Sequence, residues 1–333
     1  MNDDGAIVGL SFSDIGRINQ LLSNTSSQNV RPPINPLTEI TTIDGKRILI
    51  INIHRGVNKP YQDKNGKIWV KNGADKRQAT SREELQRLFQ ESGMVHADTA
   101  PADQMMLADL DMTYFKAFFR KRYGKTLAEQ QIPFEQIISN LNLGKDGILN
   151  IAGALLFANS LEIRLPAYIV KAASFPGNNI AMHKYIDSRD ITGKISEIFQ
   201  HTIGFLLNNT RRVQGDQGVN SHGEPEIPRI VLEELVANAL VHRDYFISAP
   251  VRVLVFSDRI EIISPGNLPN NLTVENIKAG NSNMRNPVFA SFANYILPYR
   301  GLGSGILRAL KYYPDIEFID DRDGKLFKCT IWR

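Results

Sequence analysis

The alternation of apolar and polar positions divides the 333-residue chain into three stretches of different texture. The first is built of short runs. Asp3-Asp4-Gly5 is a hairpin-turn signal, and residues 6–10 after it predict a strand. A turn with no strand before it implies that the chain begins inside a domain. Residues 12–22 predict a helix with Ser13 as its N-cap, and residues 24–36, rich in Ser, Asn and Pro, a loop. Residues 39–43 and 47–53 read as a hairpin turned at Asp44-Gly45. Tyr61 and residues 68–71 read as a second strand pair, and residues 81–90 as a helix opened by a Ser81/Glu84 capping box.

The second stretch is mostly helical. Residues 93–104 are small and polar and read as a linker. Residues 113–123 predict a helix with an aromatic stripe, Tyr114, Phe115, Phe118, Phe119 and Tyr123, opposite a basic face. Helices over 134–141 and 151–157, a strand over 168–175 and a helix over 192–207 follow, then a Gly-rich polar stretch, 214–223, expected to be a mobile loop.

The third stretch is the most regular. A helix over 229–242 precedes strands 251–256 and 260–264. Thr273 caps a short helix, Pro287 opens another, and residues 305–312 form a third. Strands 316–319 and 326–332 flank Asp323-Gly324. This order suits helices layered on a mixed sheet. The expected fold class is α+β, with a small α/β unit at 1–92, a linker and helical middle domain at 93–223, and a two-layer α/β sandwich at 224–333.

Composition narrows the function classes. No apolar run approaches the length of a membrane span, and the opening MNDDGAIVGL has neither the basic nor the apolar region of a signal peptide. With one cysteine, Cys329, a disulfide framework and a Cys-based metal site are excluded, and a cytoplasmic home is expected. The net charge of +4 permits contact with phosphate without demanding it. Lys64, Lys67, Lys71, Lys76 and Arg77 cluster about the second hairpin, and a basic ribbon of this kind can follow a phosphate backbone or simply be solvated.

Three motifs in the last stretch carry chemistry. Glu234 and Asn238, four apart, share one helix face, where a carboxylate could orient water and an amide oxygen could help hold Mg2+. Ser264-Pro-Gly266-Asn-Leu268-Pro269 ends a strand, and its glycine would let backbone approach a flat ligand. Gly301-Leu-Gly303-Ser-Gly305-Ile306 opens a helix, where backbone amides favour anions. Read singly, each also has a plain structural explanation: a solvent face, a strand-ending turn and a helix cap.

Their order resembles the GHKL ATPases (the Bergerat fold), in which an E-x-x-x-N helix, a D-x-G-x-G turn and a G-x-G-x-G loop surround ATP and Mg2+. The resemblance implies Glu234 as general base, Asn238 as Mg2+ ligand, Gly266 in the adenine turn, and Gly301, Gly303 and Gly305 at the phosphates. Ser264 stands where the family has its adenine-reading Asp. Glu234-Leu-Val-Ala-Asn238-Ala-Leu-Val-His242-Arg243-Asp244-Tyr245, Arg285-Asn286-Pro287 and the Gly-rich loop together resemble a divergent bacterial branch of transcriptional regulators, often labelled ATP-dependent DNA helicase-related or divergent AAA. No Walker A sequence or helicase motor is present. His242-Arg243-Asp244 lacks the partners of a kinase loop, so His242 and Asp244 are read as bracing the helix end, with His242 also within reach of a ligand. In that branch the N-terminal partner is an AlbA/Schlafen-type domain, which residues 3–10 and 61–84 resemble. Schlafen nuclease carboxylates fall partly in a segment missing here, so nuclease activity is not implied. The resemblance thus implies a DNA-binding regulator whose C-terminal domain binds nucleotide or mediates homodimerisation. A Mg2+-dependent ATPase and a non-catalytic scaffold are the alternatives.

Overall fold

The computed structural model of the chain describes residues 7–54, 56, 59–73, 75–181, 184–214, 223–269 and 272–333. The turn expected at Asp3-Asp4-Gly5 and most of the loop expected at 214–223 lie outside the described residues. The chain forms two compact units, Met1–Val95 and His96–Arg333.

The first unit contains α1 (Phe12–Asn24), β1 (Val30–Arg31), β2 (Leu37–Ile43), β3 (Lys46–Asn52), β4 (Gln62–Asp63), β5 (Trp69–Asn72), β6 (Asp75–Gln78) and α2 (Arg82–Glu91). Its strands pair two at a time, β1 with β4, β2 with β3 and β5 with β6. Several expectations change in detail. The cap of α1 is Ser11, which accepts from the Asp14 amide while Asp14 reaches back to the Ser11 amide. Residues 7–10 form no strand; Leu10 N–H donates to the Arg47 carbonyl at 2.9 Å, and the Lys46 and Arg47 side chains donate to the Ile7 and Leu10 carbonyls. Ser81 caps α2 as expected, but the Glu84 carboxylate that would complete the box binds Arg77 instead.

The second unit runs β7 (Pro101–Met106), α3 (Met112–Tyr123), α4 (Phe134–Asn140), β8 (Gly144–Lys145), β9 (Ile148–Asn150), α5 (Ile151–Phe157), α6 (Leu161–Arg164), β10 (Val170–Ser174), β11 (Asp187–Ile191), α7 (Ile195–Asn209), β12 (Arg212–Val213), β13 (Glu224–Pro225), α8 (Arg229–Val241), β14 (Val251–Val255), β15 (Arg259–Pro265), α9 (Val274–Lys278), α10 (Pro287–Ile296), α11 (Ser304–Tyr312), β16 (Ile316–Asp321) and β17 (Leu326–Trp332). Its main sheet has the order β11-β10-β14-β15-β17-β16; β10 and β14 run parallel and the other neighbours antiparallel. Helices α7 and α8 pack on this mixed sheet, and α11 packs on α8. The class is α+β, as expected.

Two boundaries are corrected. The segments 93–223 and 224–333 are not separate domains, because β10 hydrogen-bonds to β14 across them and one hydrophobic core runs from Ala97 to Ile331. Residues 93–104 are not a free linker. Ala97 and Asp98 are fully buried, and residues from Pro101 onward form β7. The reason is long-range: the Asp98 carboxylate accepts the Phe289 N–H at 2.9 Å, serving an amide in the first turn of α10.

Candidate functional site

Helix α8 sends Val231, Leu232, Leu235 and Val236 into the core. A spacing of four sets Glu234 and Asn238 on one face, and that face borders a cavity. His242, Ser264, Gly266, Gly301, Gly303 and Gly305 line the same cavity, so the structure brings all eight candidates of this region together. Leu235, Ile262, Phe318, Phe327 and Cys329 supply apolar surface to it.

Each wall has a local cause. Ser264 Oγ donates to the Ala239 carbonyl at 2.8 Å, tying the end of β15 to α8 and leaving its oxygen only as an acceptor. Gly266 has φ +97°, and a Cβ there would overlap the Arg285 guanidinium and the Asp244 side chain. Asp244 and Arg285 form a buried ion pair at 2.9 Å, and Arg285 also donates to the Asn267 carbonyl. Gly303, at φ +72°, is the N-cap of α11 and gives no side-chain cap. The first-turn amides of that helix therefore depend on other partners, as at anion sites. Gly305 lets this turn lie against α8, since a Cβ would press on the Glu234 carboxylate and the Asn238 amide.

The Glu234 carboxylate is buried and paired with Arg308 of α11. Burial raises its pKa, while Arg308 and Arg300 oppose that rise. Asn238 Nδ2 donates to the Glu234 backbone carbonyl at 2.7 Å, so its Oδ1 is the atom left for a cation. His242 Nε2 and Tyr299 Oη share a hydrogen bond of 3.0 Å. Burial, reinforced by the Arg285 guanidinium, pushes the imidazole pKa down to about 4. Burial pushes the Tyr299 phenol up to about 12, with Glu234 adding to the rise.

Reasoning from the sequence missed Arg308, Arg300 and Tyr299 as parts of this site. A signal was present for Arg308: it follows Ser304 by four residues, and its Nη2 donates to Ser304 Oγ at 3.2 Å. It also missed the buried Arg243, whose Nη2 donates to the carbonyls of Ala167, Ile247 and Ala249. Asn286 Nδ2 closes the C-terminal end of α8 by donating to the Val241 and Arg243 carbonyls.

The basic cluster lies in the other unit. Lys71 and Lys76 are directly opposite on β5 and β6 and share a face with Trp69. Lys76 Nζ sits 4.5 Å from the Trp69 ring centroid. Lys64 and Lys67 are exposed at the turn before β5, where Asp63 accepts the Asn65 and Lys67 amides. Arg77 departs from expectation, because both its Nη atoms are held by Glu84 at 2.8 and 2.7 Å on the hairpin's other face.

Residues 248–321 match the recG C-terminal domain family (HATPase_c_4), and residues 1–80 match the Schlafen AlbA_2 family. The chain couples a Schlafen AlbA_2-type domain to a recG C-terminal-type domain. The recG-type match begins after α8, so Glu234, Asn238 and His242 precede it while the glycine motifs fall within it. No curated protein matches the chain. Among solved structures, the DIP2311 protein from Corynebacterium diphtheriae is similar over all of this chain and 64% of its own, at 20% identity and a TM-score of 0.51. The chain thus spans just under two thirds of that protein, and the likeness concerns the fold alone. The recG-type family is ATPase-like, which makes a nucleotide the group to test against the cavity. Amides and guanidinium groups at the start of α11 suit phosphate, and the apolar surface suits a base. Among the described residues, no group of three or more His, Cys, Asp and Glu side chains gathers as a metal site. A Mg2+ ion would thus rest on Asn238 Oδ1 together with phosphate and water oxygens.

Proposed function

We propose that the protein is a DNA-binding regulator whose recG-type domain binds a purine nucleotide with Mg2+ and whose AlbA-type domain contacts phosphates through Lys64, Lys67, Lys71 and Lys76. The supporting observation is convergence: three motifs spread over residues 234–305 line one cavity, with Arg300 and Arg308 beside the start of α11. Adenine would be read weakly, because Ser264 offers one hydroxyl oxygen where a carboxylate would be stronger. Asn238 would place the ion, and the amides from Ser304 onward would hold the phosphates. Hydrolysis is the secondary reading. Against it stands the pairing of Glu234 Oε1 with Arg308, which would have to give way before the carboxylate could orient a water molecule. Homodimerisation fits the same role but draws no support from a particular contact.

Calorimetric titration of ATP and ADP with Mg2+ into the full chain tests the nucleotide half. Micromolar binding by the wild type that Asn238→Ala weakens at least tenfold is the expected result. Absence of binding by the wild type would refute it and leave a scaffold that keeps the fold without the ligand.

A further inference from the structure

The cavity does not stand alone. A second cleft adjoins it, and Glu234, Tyr299, Arg300 and Arg308 line both. The Glu234–Arg308 ion pair therefore lies on the partition between the two spaces. Its partners are unequal. The Glu234 side chain is 8% exposed and the Arg308 side chain 30%, so the carboxylate is fixed inside while the guanidinium keeps a path to solvent.

Arg308 lies in the second turn of α11 but folds back to Ser304 Oγ in the first. That brings its guanidinium to the helix end, where uncapped amides favour an anion. An anion bound there and the Glu234 carboxylate would be two negative charges competing for the Arg308 guanidinium, with Arg300 lining the same spaces. Arginine matches phosphate in bidentate geometry, and a terminal phosphate brings more charge than a carboxylate.

We propose that Arg308 is a phosphate-binding residue whose partner within the chain is Glu234, and that it exchanges this carboxylate for the terminal phosphate of a nucleoside di- or triphosphate, freeing Glu234 at the partition. The proposal rests on the nucleotide reading of the cavity. It makes the ion pair an internal competitor: the chain's own carboxylate holds the phosphate-binding arginine until a charged ligand displaces it.

The experiment compares ATP, ADP and adenosine by calorimetry on the full chain, in wild type, Glu234→Gln and Arg308→Ala. Glu234→Gln removes the competitor, so ATP affinity should rise about fivefold to tenfold while adenosine affinity stays unchanged. Arg308→Ala should lower ATP affinity about tenfold or more, again sparing adenosine. Glu234→Asp and Arg308→Lys serve where a first variant fails to fold, as judged by its melting midpoint. Shortening the carboxylate should still tighten ATP, and lysine should restore part of the loss. A purely structural brace predicts the opposite for Glu234→Gln, a parallel loss for ATP and adenosine. That result, or ATP affinity indifferent to Arg308, would overturn the exchange and leave the nucleotide site standing. A wild type that binds neither ATP nor adenosine would overturn both.

Discussion

The two units solve the problem of presenting a functional surface in opposite ways. Among the described residues of the first, the buried apolar side chains are Ile15, Ile68 and Ala79, and every sheet has two strands. The second joins six strands in one sheet over a continuous core. Two-stranded sheets are marginal in isolation. The difference suits the roles proposed for the two surfaces. A cavity that must hold a ligand needs walls fixed by packing, as Gly266 against Asp244 and Gly305 against Glu234 illustrate. A surface that meets a phosphate backbone needs charge at the right spacing, and exposed lysines supply that without a deep core.

The sharpest way to break this comparison is to cut into each unit. Phe157 is fully buried and touches the rings of Tyr114, Phe115, Phe118 and Phe292. Phe157→Ala should cost about 3–5 kcal/mol in denaturant-induced unfolding. Ile40→Ala, on the exposed face of β2, should change stability by less than about 0.5 kcal/mol. Comparable losses at the two positions would mean that the first unit has a core of its own weight.

The next effect distinguishes the units by pH. His242 is neutral in the folded chain, with a pKa of about 4 against an ordinary value of 6.5. The unfolded chain takes up the proton first, so stability present above pH 6.5 is lost as the pH falls toward 4. The loss for this group amounts to up to about 3 kcal/mol. Measuring unfolding free energy from pH 7.5 to 4 in wild type and His242→Gln isolates it. Asp98, whose pKa burial raises, acts alike in both proteins and cancels in the difference. The wild type should fall more steeply, and parallel curves would show that His242 gains its proton without cost.

How much was legible follows the same division. Helix α8 and its flanking strands could be read because apolar spacing and turn residues agree locally, and the three motifs stood out because Glu, Asn and Gly recur at chemically meaningful intervals. What escaped was set by distance in sequence. Asp98 sits in a small, polar segment that looks like a linker, and its burial becomes intelligible with the Phe289 amide, 191 positions on, that its carboxylate accepts. Arg308 looks like a solvated helix residue until α11 is laid against α8. Arg243 was passed over within His242-Arg243-Asp244, although its guanidinium gathers three carbonyls. The union of residues 93–223 with 224–333 was equally invisible, because nothing near Val170 announces a parallel partner at Val251.

The smallest expected effect bears on the surface of the first unit. Lys71 and Lys76 face each other across β5 and β6. Like charges directly opposite are destabilising in a sheet, so two lysines there are a cost unless an anion comes between them. Here Lys76 lies over Trp69, which moderates that cost. If the face meets a phosphate backbone, Lys71→Glu with Lys76→Glu should weaken DNA binding and flatten its dependence on salt by roughly one unit of log–log slope per lost contact. Arg77→Gln should do much less, because Glu84 already holds that guanidinium. Nucleotide affinity in the second unit should not change in either variant. Equal losses for Arg77→Gln and the double reversal would place the contact on the wrong face of the hairpin. An unchanged salt slope in the double variant would remove Lys71 and Lys76 from the contact and leave the turn lysines, Lys64 and Lys67, to account for any binding that persists.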